Sequence, residues 1–135
     1  HPSTATVLIN LGECQWKQGR LDEALRTASR AMAILEATTD PDNLGISTVL
    51  YDIACVERDL GRVKESERDF RRCLTLQEKM LGPTSPEVAI TLDAYALLLR
   101  RSGRDADATT IEARAGAIPH RQGLNSGVRV SNPTQ

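Results

Sequence analysis

The dipeptide Gly-Arg recurs at Gly19-Arg20, Gly61-Arg62 and Gly103-Arg104, each 42 residues after the one before. A fixed period of this length constrains the fold more than any bulk property, because internal repeats of roughly 20–50 residues belong to stacked repeat architectures. The rest of the chain falls into the same frame without insertion. Leu8, Leu50 and Leu92 share one register, and Leu11, Ile53 and Tyr95 another. Gly12, Ala54 and Ala96 follow, always small. Ala24, Ser66 and Ala108 come next, then Ala31, Cys73 and Ala115, then Ile34, Leu76 and Ile118.

Each unit reads as two helices. In unit one Leu21, Ala24, Leu25, Ala28, Ala31, Met32 and Leu35 make a continuous apolar stripe at helical spacing. Among the first helices, Val7, Leu11 and Cys14 form the expected core stripe, matched by Val49, Ile53 and Val56 and by Thr91, Tyr95 and Leu98. Gly19, Gly61 and Gly103 stand where a helix ends in the left-handed conformation. Ser85-Pro86-Glu87 reads as an N-cap, a first-turn proline and an acid suited to the helix dipole. The predicted helices are about 3–18, 21–38, 44–60, 63–81, 86–102 and 105–117, in units of about 1–43, 44–85 and 86–118. The segment 119–135 has Gly123, Gly127 and Pro133, no acid and no periodicity, and reads as a flexible tail or linker. The expected fold class is all-α: a right-handed α-solenoid of three helix-turn-helix repeats.

Composition agrees and excludes several functions. Trp16, Tyr51, Phe70 and Tyr95 are the whole aromatic content, and Ala and Leu fill the apolar positions, which suits close-packed helices. A net charge of −1 gives no footprint for nucleic acid. No apolar run is long enough to cross a bilayer. Cys14, Cys55 and Cys73 are odd in number and form no CxxC pair, so free thiols in a reducing, cytoplasmic compartment are expected. His1 and His120 lie at opposite ends of the array, against a histidine-based catalytic or metal site. The glycines mark turns and form no phosphate loop. No enzyme activity, metal or cofactor is implied. A chain opening His1-Pro2 reads as a piece of a longer protein.

Two helices per 42 residues suit HEAT-like and tetratricopeptide-like arrays alike; the residue pattern separates them. The small residues at Gly12/Ala54/Ala96, the turn glycines and the alanines of the second helices resemble tetratricopeptide repeats. "GRLDEALRTASRAMAILE" and "LDAYALLLRRSGRDADA" are similar to the kinesin-light-chain type. So is the link Leu81-Gly82-Pro83-Thr84-Ser85-Pro86-Glu87-Val88-Ala89. The usual aromatic near the end of the first helix is replaced by Gln15, Glu57 and Leu99. Unit one's link, Thr39-Asp40-Pro41-Asp42-Asn43-Leu44, lacks the family's His-Pro. The short, polar second helix of unit three suits a capping end.

The resemblance implies a protein or peptide partner held on a concave face lined by the first helices. The residues expected there are Ile9, Glu13 and Trp16, then Tyr51, Cys55 and Arg58, then Asp93, Leu97 and Arg100, flanked by Asn10 and Asp52. The Trp16–Arg58–Arg100 ladder would suit an acidic segment with an apolar anchor. No Lys/Asn clamp for a C-terminal carboxylate is present. Two other roles stay open: self-association through the solenoid ends into a homo-oligomer, and service as the regulatory segment of a larger enzyme or signalling protein.

Overall fold

The structure, a computed structural model, describes residues 2–119; most of the segment read as a tail lies outside them. It is all-α. The helices are α1 (Pro2–Lys17), α2 (Leu21–Thr38), α3 (Leu44–Leu60), α4 (Val63–Leu81), α5 (Pro86–Arg101) and α6 (Asp105–Gly116). Each predicted helix is present within one residue of its expected ends.

The Gly-Arg turns explain the period. Gly19, Gly61 and Gly103 have φ of 79°, 83° and 78°. At each, the glycine N–H reaches back three residues and the arginine N–H five: Gly19 to Trp16 O and Arg20 to Gln15 O, both 2.9 Å. Gly61 and Arg62 bond Arg58 and Glu57, and Gly103 and Arg104 bond Arg100 and Leu99, in the same way. This is the Schellman ending, which satisfies two orphan carbonyls and needs a residue without Cβ strain at the left-handed position. Helix starts are set by side chains where the links are longer. Asn43 accepts from Gly45 N at 2.6 Å, and Ser85 accepts from Val88 N at 3.2 Å, ahead of Pro86.

The chain forms two compact units divided after Leu76, within α4. In the first, α2 packs on α1 and on α3. Its core gathers Ala5 and Leu8 of α1, Ala28, Ala31, Met32 and Leu35 of α2, Ile46, Val49, Leu50 and Ile53 of α3, and Cys73 and Leu76 of α4. Small residues set the spacing. A Cβ on Gly12 would sit 3.6 Å from the Thr27 methyl and 3.7 Å from Ala24 O. In the next hairpin the buried Ser66 hydroxyl donates to Ala54 O at 2.7 Å. In the second unit α5 packs on α6, which buries Ala108 and Ala115.

One expected stripe is corrected. Val7, Leu11 and Cys14 are exposed, and α1 buries Ala5, Leu8 and Gly12 instead. Val49, Ile53 and Val56 are buried as expected, as are Thr91, Tyr95 and Leu98. The reason is the neighbourhood of each helix. The Val49 side of α3 lies under α2, whereas α1 meets α2 through its Gly12 face.

Candidate functional site

In the first unit the first-helix face is built by α1 and α3. Ile9, Gly12, Glu13 and Trp16 of α1 line a cavity with Val49, Asp52 and Val56 of α3, floored by Ala24 and Ala28 of α2. Its room is about 10 Å³, one water's worth. The indole N–H of Trp16 donates to Asp59 Oδ2 at 2.7 Å, tying the end of α1 to the end of α3. Glu13 and Asp52 are hydrogen-bonded to each other across the cavity; Asp52 is buried, and burial first, then the Glu13 carboxylate, push its pKa up to about 8.

The remaining residues expected on this face differ in access. Tyr51 is half-buried with its ring edge-on to Phe70, centroids 6.4 Å apart, and burial raises its phenol pKa. Cys55 is fully buried, so it lies beneath the surface and cannot touch a partner; burial pushes its thiol up to about 12. Arg58 keeps only 8 % of its side chain exposed and donates through Nε to Asp59 Oδ1 at 3.1 Å. Asp59 therefore holds both Trp16 and Arg58, and the Arg58 rung of the expected basic ladder is neutralised from within.

In the second unit Asp93, Leu97 and Arg100 follow one another along α5. Asp93 is half-buried, and Leu97 and Arg100 are exposed. Arg100 forks onto Glu112 of α6, with Nε 2.8 Å from Oε2, and also donates to Thr109 Oγ1 at 3.2 Å. Asp105 lies 3.6 Å from its other terminal nitrogen. The Arg100 hydrogen bond holds the Glu112 carboxyl below its ordinary range.

Asp59 and Glu112 are the neighbours that sequence reading missed, and Asp52, expected to flank the face, is buried against Glu13. A signal for one existed. Gln15–Thr27, Ala54–Ser66 and Arg100–Glu112 are all bonded pairs 12 residues apart, the separation that brings two helices of one hairpin together across a Gly-Arg turn. The Trp16–Asp59 bond spans 43 residues and joins successive repeats.

The repeat, the helix pairs with small residues at their contacts and the Schellman turns define a tetratricopeptide array. The tetratricopeptide repeat family profile matches residues 3–79 and 45–118, and the chain belongs to that family. Among solved structures it is similar to a Podosopora anserina protein assigned as a kinesin light chain with nearly identical tetratricopeptide-like repeats, at TM-score 0.79 and 19% identity. The match covers 90% of this chain and 58% of that one. A form of that same protein carrying a substitution to methionine matches at TM-score 0.78 and 19% identity, over 90% of this chain and 57% of that one. This chain thus spans less than two thirds of those relatives, and at such identity the likeness is one of fold. No curated protein matches. Repeats of this family are generally protein-interaction scaffolds, typically without catalysis. No described helix is long and apolar enough to cross a membrane.

Proposed function

We propose that the chain is a protein-interaction module that holds a peptide or protein segment on its first-helix face, in a reducing, cytoplasmic compartment. The observation that carries this reading is the half-exposed Trp16, fixed by Asp59 beside Ile9 and a small cavity on the α1–α3 face. A rigid aromatic beside an apolar hollow is the anchor type that dominates protein interfaces. Arg58 is enclosed and spent on Asp59, while Glu13, Asp52 and Asp59 gather around the indole. The anchor at this end is therefore an apolar side chain flanked by neutral or cationic groups.

An acidic segment is the second reading, and it rests on Arg100, whose fork already takes a carboxylate in the form of Glu112. A competing acid has the same geometry to occupy.

Occupancy is read in every form from the fluorescence anisotropy of dye-labelled peptides, and the emission of Trp16, the only tryptophan, reports separately on its own surroundings. Two peptide libraries with one apolar anchor, one flanked by lysine and one by glutamate, are titrated into the chain and into Trp16→Ala and Arg100→Ala variants. The lysine set is expected to shift Trp16 emission and to bind Trp16→Ala at least tenfold more weakly. The glutamate set is expected to lose affinity only in Arg100→Ala. Binding unchanged in both variants overturns the face assignment.

A further inference from the structure

Near the ends of the three first helices one two-residue register recurs: Trp16-Lys17, Arg58-Asp59 and Arg100-Arg101. Asp59 is the one acid among these six. A carboxylate there works against the helix that carries it. Asp59 lies in the last turn of α3, at the negative end of the helix dipole, where cations are favoured and where α1 has Lys17 and α5 has Arg100 and Arg101. Local rules are broken in this way most often at functional positions. Two contacts offset the local cost. Oδ2 accepts the indole N–H of Trp16, one repeat earlier, at 2.7 Å, and Oδ1 accepts Nε of Arg58 at 3.1 Å. Asp59 keeps 22% of its side chain exposed, against 8% for Arg58. The other two acids of this face, Glu13 and Asp52, are bonded to each other, whereas Asp59 bonds the aromatic anchor itself.

We propose that Asp59 is the residue that determines what the Trp16 face accepts. It holds the indole in one pose, and it cancels the Arg58 charge beside that indole, so acidic flanks meet no net cation there and neutral or cationic flanks are preferred. This specificity role rests on the reading that Trp16 anchors a partner segment. The two parts of the role have different chemistry. The hold on Trp16 needs the indole N–H, so it vanishes when the ring is kept and the N–H is removed, as in Trp16→Phe. The charge effect needs only the carboxylate, so Asp59→Ala and Asp59→Asn both abolish it. In either variant Arg58 loses this counter-charge, and the local balance moves one unit toward positive.

Three dye-labelled peptide sets with one apolar anchor, flanked by lysine, by serine or by glutamate, are titrated by anisotropy into the native chain and its variants, with helicity checked by circular dichroism. The ratio of lysine-set to glutamate-set affinity is expected to fall about fivefold or more in both Asp59→Ala and Asp59→Asn. In the native chain that ratio is expected to shrink as salt is added. The serine set, blind to charge, reads the pose. Its affinity is expected to fall about fivefold in Asp59→Ala, and by no more than about twofold when the same change is made on Trp16→Phe. A ratio unchanged in both Asp59 variants, while binding still depends on Trp16, overturns the role of Asp59 alone. An equal loss for all three sets that persists on Trp16→Phe marks Asp59 as a structural tie and overturns it as well. Should Asp59→Ala lose helicity, the ratio in Asp59→Asn decides. Binding that is absent from the native chain, or unchanged in Trp16→Ala, fails the face assignment itself and takes this inference with it.

Discussion

Glu57 and Asp69 are hydrogen-bonded to each other within the hairpin of α3 and α4, at the register where Gln15 accepts a 2.7 Å bond from Thr27 in the hairpin before. The third repeat has Leu99 and Ile111 there. One junction is thus built as a neutral polar pair, a pair of acids and an apolar pair. The acid pair alone is sensitive to pH. Both carboxyls are buried, and burial first, then Asp69, push the Glu57 pKa from 4.5 up to about 8.

The folded state therefore holds a proton that the unfolded chain releases. The stability tied to Glu57 is fully present below pH 4.5 and is lost as pH rises through about 8. The loss is at most about 1.4 kcal/mol per pH unit for each such group. Asp52, raised from 3.8 to about 8 by burial and then by Glu13, acts in the same direction. Urea denaturation from pH 5 to 8.5 is expected to show Glu57→Gln losing less stability than the native chain over that range. Equal pH slopes would mean that the pair ionises freely.

Two glycine substitutions should have opposite signs. Gly12 is helical, and a Cβ there meets only ordinary contacts at 3.6–3.7 Å. Gly12→Ala, which copies Ala54 and Ala96, is expected to add about 0.5–1 kcal/mol through helix propensity. Gly61 sits at φ 83°, so Gly61→Ala is expected to cost about 1 kcal/mol or more despite open space around it. Thermal melting of both variants checks the pair.

Removing Glu112 should release Arg100. Both side chains are about two-fifths exposed, so Glu112→Ala is expected to leave stability nearly unchanged. The freed guanidinium should raise affinity for glutamate-flanked peptides several-fold at low salt, an effect that shrinks as salt is added. Titration at two ionic strengths measures it.

The three thiols should separate cleanly. Cys14 is exposed, Cys55 is buried with its pKa pushed up to about 12, and Cys73 is buried with its Sγ 3.3 Å from Ser47 O. A thiol reagent at pH 8 is expected to modify one equivalent quickly and the other two only on unfolding.

Helix limits, turn glycines and the repeat were legible because they depend on local rules. A Schellman ending needs its glycine, Asn43 and Ser85 cap within three residues, and a 3.6-residue period declares a buried face. The candidate face was legible only as a set of positions. That Ile9, Glu13 and Trp16 share a side of α1 follows from helical spacing, and the cavity is there. That Arg58 is enclosed, that Cys55 lies beneath the surface and that Arg100 grips Glu112 depends on residues a hairpin or a repeat away.

The sequence by itself determined six helices, their ends and their pairing, since each follows from backbone geometry and an apolar period written within about 20 residues. Only the tertiary structure decided which of two equally apolar sides of α1 faces the core. Val7 and Leu11 read like Val49 and Ile53, and burial needs a neighbour: α2 covers α3 on that side, and α1 has it exposed. The same holds for charge. An arginine in a list of residues is a free cation, and only the fold put Asp59 against Arg58 and Glu112 against Arg100.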